Sequence, residues 1–293
     1  MSTTFRVALL GDGIGESLTP AMHMLEGERL GLSYVYELFD IAADTFDTEG
    51  LVSFLVGLRA AGFDGLNVTH PYKQRVMALV DDLSADARRI GAVNLITFDG
   101  DRVTGHNTDW TGFRTSITRQ LDAPLSGAVL QIGSGGAGAA TVYALLTMGA
   151  DHVVIHDVEP SRAQALADRY RPLFPQQQVT ATDGEVGGLW SKVAGVVHAT
   201  PVGMDKHPGR PFDPALLRAG AWVAEVVYRP VETELVVSAR AAGHQVIDGS
   251  MMAAGQAIDS MRILTGLEPD ADRVRADLLS LLAAEDVHAT APH

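Results

Sequence analysis

An α/β fold follows from three features of this chain. Strand-like and helix-like segments alternate almost throughout, the order that builds parallel strands with helices on their faces. From Ala128 the rhythm tightens into five apolar runs, AVLQIG, HVVIHD, AGVVHAT, WVAEVV and HQVID. Between the first two of these lies a glycine-rich turn, GSGGAG. At 293 residues the chain has room for two domains, each with its own core.

The elements read in order as follows. MSTTFRVALLG has no basic stretch followed by an apolar run, so it reads as a first strand, RVALLG, and not as a targeting segment. A helix runs from Pro20 to about Leu30, with proline where the missing N–H costs least. YVYELFDI is the second strand, a helix covers about 50–61, and FDGLNVT is the third strand. NLITFDGDRVTGHNTD predicts two strands joined by an Asp-Gly turn. After the five later strands, SMMAAGQAIDSMRILTG and RVRADLLSLLAAE are helical, and DVHATAPH is expected to be a loose tail. The expected division is an N-terminal α/β domain (1–112), a nucleotide-type domain (113–248), and C-terminal helices (249–293) that return to pack on the first domain.

Composition narrows the function. The formal net charge of −14 disfavours nucleic acid and anionic lipid as partners. There is no cysteine, which excludes disulfides, thiolate metal sites and cysteine nucleophiles. The ten histidines include no HExxH or other tight ligand spacing, so no metal is expected. No apolar stretch reaches bilayer length, and a cytoplasmic protein is the expectation. The expected partner is a small molecule, with a homodimer as one admissible assembly.

Gly133, Gly135 and Gly138 match G-x-G-x-x-G directly after AVLQI, with Gly136 and Ala137 opening the helix that follows. Such glycines permit a tight turn, close approach to a pyrophosphate, and close helix–strand packing. The anion would rest on the helix N-terminus. HVVIH ends in Asp157, nineteen residues past Gly138, where a Rossmann domain carries the acid for the ribose hydroxyls. A carboxylate there accepts from a 2′-OH and repels a 2′-phosphate, so NAD is the expected cofactor. Arg162, five residues on, is a guanidinium that a phosphate could meet. The bland alternative for Asp157 is a helix cap before VEPSRAQAL.

Outside the nucleotide unit, polar stretches recur at element ends: Ser17 to Pro20, Asn67 to Lys73, Gly91 to Asn94, and Asn107 to Asp109, with Gln256 inside the late helical segment. Each has an ordinary explanation as a cap, a turn or a solvated face. Together they supply hydroxyls, amides, one amine and one carboxylate. That set suits holding a polyhydroxylated carboxylic acid and moving one proton.

These residues carry a resemblance. NVTHPYK, GAVN, NTD, the glycine loop, ATPVGM (199–204), VVYRPVET (226–233) and GSMMAAGQA (249–257) stand in the order found in the shikimate dehydrogenase family, which the chain resembles over nearly its full length. The resemblance implies that Ser17 and Thr19 hold the substrate carboxylate, and that Thr69, Asn94, Asp109 and Gln256 bind ring hydroxyls. It implies Lys73 and Asp109 as the catalytic pair, and Thr200, Pro201 and Met204 beside the nicotinamide, with Val227, Gly249 and Met252 nearby. Lys73 is read either as the base or as a cation that stabilises the developing alkoxide.

The chain also departs from the family pattern. Ser-Leu-Thr-Pro replaces the family's frequent Ser-Lys-Ser-Pro, and Asp157-Val158-Glu159 replaces the Asn-Arg-Thr usual in NADP-dependent members. Both changes resemble the NAD-dependent quinate/shikimate dehydrogenase branch. His198 and Glu225 stand where Asn and Asp are more frequent. The rivals are an NADP-linked biosynthetic shikimate dehydrogenase and an aminoshikimate dehydrogenase. Further off are a non-catalytic NAD-sensing protein, which has no need of Lys73 and Asp109, and a methyltransferase, which has no use for ATPVGM or NVTHPYK.

Overall fold

The computed structural model describes residues 4–122 and 125–290. It divides into two compact units, one formed by the residues up to Thr108 with those from Gln256 onward, the other by Asp109–Gly255.

The first unit holds a six-stranded sheet of order β2-β1-β3-β5-β6-β4. Its strands are β1 (Thr4–Gly11), β2 (Ser33–Asp40), β3 (Gly65–Val68), β4 (Asp82–Leu83), β5 (Leu95–Asp99) and β6 (Arg102–His106). Strands β1, β2 and β3 are parallel, while β5 runs antiparallel to both β3 and β6. The expected hairpin of β5 and β6 thus makes this sheet mixed. Asp99 pairs with Arg102, so the turn is centred on Gly100-Asp101, one residue beyond the expected Asp-Gly. Gly100 there adopts φ +57°, a left-handed value that glycine takes without strain.

Helices α1 (Thr19–Arg29), α2 (Thr48–Ala60) and α3 (Ala85–Ile90) connect these strands. Helix α2 starts where Asp47 accepts the Gly50 N–H at 2.7 Å, and it buries Leu51, Leu55 and Leu58. That i, i+4, i+7 stripe packs with Leu10, Leu66, Val68, Tyr72 and Val76 into the core. The chain's last helix, α9 (Ala271–Thr290), is fastened to α1 by an enclosed carboxylate. Glu26 accepts from Arg273 Nε at 2.8 Å, Arg273 Nη2 at 2.5 Å and the Asp270 N–H at 2.9 Å. The tail expected to be loose from Asp286 continues this helix to Thr290, because DLLSLLAAEDVHA contains no helix breaker. Residues 291–293 of that expectation lie outside the described residues.

The second unit is a fully parallel six-stranded sheet of order β12-β11-β10-β7-β8-β9. Its strands are β7 (Ala128–Ile132), β8 (His152–His156), β9 (Gln178–Ala181), β10 (Gly195–His198), β11 (Trp222–Glu225) and β12 (Gln245–Ile247). Helices α4 (Asp109–Gln120), α5 (Gly136–Thr147), α6 (Pro160–Tyr170) and α7 (Glu234–Ala241) belong to it, and α8 (Ser250–Thr265) begins in it. The central strands are apolar runs buried on both faces, as helix-covered parallel strands require. Strand β9 was not among the sequence expectations.

The units divide at 108/109 and 255/256, against sequence expectations of 112/113 and 248/249. Helix α4 packs along α5 from its start. Gly112 of α4 meets Gly255 of α8 so closely that a Cβ on Gly255 would lie 2.8 Å from Gly112 Cα. Among the described residues no helix is long and apolar enough to cross a membrane, and no group of three or more His, Asp or Glu is placed to hold a metal ion.

Candidate active site

In the first unit the predicted polar stretches leave the sheet at one edge. Strands β1, β3 and β6 end there and antiparallel β5 begins there, so Ser17, Thr69, Lys73, Asn94 and Thr108 all follow or precede the same strand ends. Alternating α/β sheets bind ligands beyond that edge. Ser17 is half-buried, and its hydroxyl lies 3.4 Å from the Thr19 N–H. Thr19 is buried as the first residue of α1. Thr69 and Lys73 are half-buried after β3. The Lys73 carbonyl accepts the Val93 N–H at 2.8 Å, which ties NVTHPYK to GAVN.

A buried polar network lies beneath this edge. Asn94 accepts the Thr108 N–H at 2.7 Å and donates to the Thr108 hydroxyl at 3.0 Å. Thr108 donates in turn to the Gln256 carbonyl at 3.0 Å, and Ser260 donates to the same oxygen at 2.8 Å. Asn67 donates to Ser260 at 3.1 Å and accepts from the Tyr36 hydroxyl at 2.9 Å. The Asn94 amide is thus engaged in fixing the NTD stretch, while Gln256 contributes its backbone to the network and keeps a half-buried side chain. Tyr36 and Ser260 were missed by the sequence reading. Ser260 carried a signal, since it lies one helical turn past Gln256 on the same face. Asp109 belongs to the second unit, buried at the start of α4.

In the second unit the strand order reverses between β7 and β10, the switch point at which such sheets bind nucleotides. The glycine loop leaves β7 there. Gly133 adopts φ +94°, and a Cβ on it would lie 2.6 Å from the Ala199 carbonyl and 2.8 Å from Thr200 Cγ2. A Cβ on Gly138 would overlap the Gly133 carbonyl, which is how α5 comes so close to its strand. Gln131, fully buried, donates to the Gly133 carbonyl at 2.9 Å and accepts from Thr141 at 2.7 Å, pinning the loop to α5. Gly135 has open space where a side chain would stand, and it caps α5 without a side-chain bond. Gly136 and Ala137 follow as its first half-buried residues. Open approach to a helix N-terminus fits an anionic pyrophosphate.

Asp157 follows β8 and is 9% exposed. One carboxylate oxygen accepts from the Ser134 N–H at 2.9 Å and the Ser134 hydroxyl at 2.6 Å, the other from the Glu159 N–H at 3.0 Å. Burial pushes its carboxyl up, but the Ser134 and Glu159 hydrogen bonds and the Arg162 charge outweigh it and hold it below the ordinary value. Arg162 is exposed on α6, its Nε 2.5 Å from Glu159. A cleft of about 190 Å³ gathers Gly133, Asp157 and Thr200 with His156, Val158 and Trp190. Val158 is 93% exposed, and Trp190 stacks on Phe212 at 4.8 Å. Ser134 and Trp190 were missed by the sequence reading. Pro201 and Met204 are exposed beyond Thr200, whereas Val227, Gly249 and Met252 are buried after β11 and around the start of α8. Gly249 has no room for a side chain, since a Cβ would lie 2.5 Å from the Val227 carbonyl.

A glycine loop at the switch point and an acid held at the next strand end define a dinucleotide-binding protein. Comparison with known proteins narrows this. Residues 9–96 match the description "Shikimate dehydrogenase substrate binding domain". A shikimate dehydrogenase (NADP(+)) of Arthrobacter sp. (strain FB24) is 47% identical over 287 residues, covering 98% of each chain. A quinate/shikimate dehydrogenase (NAD(+)) of Corynebacterium efficiens is 43% identical over 279 residues, 94% of this chain and 98% of that one. The solved quinate dehydrogenase from Corynebacterium glutamicum in complex with NAD is similar with a TM-score of 0.88 at 42% identity, over 95% of this chain and 100% of that chain. The chain belongs to the shikimate dehydrogenase family. It is an oxidoreductase acting on CH–OH groups, with a nicotinamide dinucleotide as cofactor.

Proposed function

We propose that this protein is an NAD-dependent quinate/shikimate dehydrogenase that acts on the C3 hydroxyl. The observation that carries the choice of NAD is the acidic end of β8. Asp157 sits in the cleft with its carboxylate fixed, and Glu159 engages Arg162, the guanidinium that a 2′-phosphate would need. Two carboxylates against one partnered cation disfavour a phosphate there.

When bound, the dinucleotide supplies the hydride acceptor. The remaining work falls to this chain's residues. Ser17 and Thr19 donate to the substrate carboxylate. Thr69, Asn94, Asp109 and Gln256 address ring hydroxyls. Lys73 takes the C3 hydroxyl proton as the C3–H bond gives up its hydride, and it returns the proton in the reverse direction. Asp109 acts with Lys73 as its carboxylate partner.

A second reading, an NADP-linked shikimate dehydrogenase, draws on the Arthrobacter relative's name and on Arg162. Steady-state rates with both dinucleotides decide between the two. Higher kcat/KM with NAD supports our reading, and higher kcat/KM with NADP supports the other.

A further inference from the structure

His198 ends β10 and Glu225 ends β11, directly paired across the parallel strands. Both side chains are fully enclosed. His198 Nδ1 lies 2.9 and 3.1 Å from the two Glu225 oxygens, and Nε2 lies 2.5 Å from Thr200 Oγ1. Glu225 is also held from behind. The Val227 N–H donates to one oxygen at 2.9 Å and the Thr233 hydroxyl to the other at 3.2 Å, while Thr233 itself accepts the Val236 N–H at 3.1 Å. An enclosed imidazole–carboxylate pair adds little stability over an apolar pair of similar shape, so holding two strands together does not account for it.

Its hydrogen-bond logic has one consequence. A carboxylate only accepts, so a ring proton on Nδ1 faces Glu225, and a ring with that one proton offers Nε2 as an acceptor to the Thr200 hydroxyl. The Val202 N–H occupies one lone pair of that hydroxyl at 3.3 Å, which leaves the other lone pair. Thr200 Cγ2 lies beside Gly133, where a Cβ would come within 2.8 Å of it. Thr200 lines the same cleft as Gly133 and Asp157.

We propose that Glu225 and His198 are positioning residues that fix Thr200 as a hydrogen-bond acceptor for a hydroxyl or amide donor of the bound dinucleotide. The proposal rests on the cleft being the dinucleotide site and is independent of the choice between NAD and NADP. Glu225→Gln keeps one oxygen for the Val227 N–H but puts an amide N–H in place of the second acceptor beside Nδ1, which loosens the hold on the Nδ1 proton and frees Thr200 to present a hydrogen in place of a lone pair.

The test is a double-mutant cycle. NADH, or NADPH if wild type binds it more tightly, is titrated by fluorescence into wild type, Thr200→Val, Glu225→Gln and the double variant. Each single change is expected to weaken binding about five- to tenfold, the size of one hydrogen bond. Glu225→Gln is expected to add nothing once Thr200 is valine. Additive losses would overturn the proposal, because they place Glu225 in a role that does not pass through Thr200. A preference for NADPH would contradict the NAD reading, while the cycle would still separate coupled from additive losses. A readout on the unmodified protein decides the same point if Glu225→Gln fails to fold. The ¹⁵N shifts of the His198 ring, assigned with His198→Asn, should show a protonated Nδ1 and a bare Nε2, and a protonated Nε2 would overturn the proposal.

Discussion

The backbone N–H and the hydroxyl of Ser134 close on one oxygen of Asp157, at 2.9 and 2.6 Å. The second residue of the glycine loop therefore holds the acid at the end of the next strand. The glycine loop and the acid proposed to read the ribose are thus joined by hydrogen bonds within the protein itself. Asp157→Asn should weaken NAD more than NADP, because it loses an acceptor and removes a repulsive charge. A bond to a charged group contributes about 1.5–3 kcal/mol, so kcat/KM for NAD should fall by about ten- to a hundredfold. Ser134→Ala should give a smaller loss of the same kind. Equal losses for both cofactors would detach Asp157 from the choice.

Lys73 should matter to chemistry more than to binding. General acid–base groups contribute about 10²–10⁴ in rate, and Lys73→Ala should lower kcat by that order. Asp109→Asn should also slow turnover, with the double variant less than additive if the two act as one unit. Near-normal kcat with a raised KM in Lys73→Ala would make the lysine a binding residue.

Glu26 and Arg273 fasten α1 to α9. The Glu26 side chain is fully enclosed, so Glu26→Ala leaves Arg273 and the Asp270 N–H without their acceptor. Breaking a buried pair costs about 3–5 kcal/mol, and Arg273 is 41% exposed, which places the loss at the lower end. Urea unfolding should show it. A loss under about 1 kcal/mol, the size of a surface pair, would mean that packing alone docks the C-terminal helix.

His23 gives a pH dependence with a defined sign. It is fully buried against Tyr34 and Tyr36, and Nε2 has no hydrogen-bond partner among the described residues. Burial pushes its pKa from 6.5 down to about 3. Below pH 6.5 the unfolded chain binds a proton that the folded chain refuses, so stability falls with acidification. The loss is about 1.4 kcal/mol per pH unit until the folded value is reached. His23→Phe should flatten the stability–pH slope between pH 6 and about 4.5. An unchanged slope would assign the acid sensitivity to carboxylates such as Glu26.

Periodicity and punctuation made much of the fold legible. The mostly apolar runs of β7, β8, β10, β11 and β12 are bounded by Gly, Asp or Thr, and they stand out in the sequence. QVTA of β9 does not, because it is an edge strand of four residues with an exposed glutamine and threonine. Two-residue β4 has no pattern to read. At the site, the glycines and Asp157 were visible through spacing. Ser134 and Gln131 were not, since their roles depend on which strand ends lie side by side. Asn94 was visible as polar, but only the fold reveals that its amide clamps Thr108.

Thr19 tests the proposed carboxylate site. Quinate bears its carboxylate on a tetrahedral carbon, whereas that carbon is flat in shikimate. The threonine methyl restricts the hydroxyl to fewer rotamers than serine allows. Thr19→Ser should lower the quinate-to-shikimate ratio of kcat/KM by a modest factor, since a methyl contact contributes about 1 kcal/mol. An unchanged ratio would remove Thr19 from substrate selection.

The most direct measurement is a steady-state comparison of purified enzyme with quinate and shikimate, each with NAD and NADP. Asp157, anchored by Ser134, and Arg162, engaged by Glu159, predict a higher kcat/KM with NAD for both acids, and Thr19 at the proposed carboxylate site predicts measurable oxidation of quinate. A higher kcat/KM with NADP, or no turnover of quinate, would contradict the proposal.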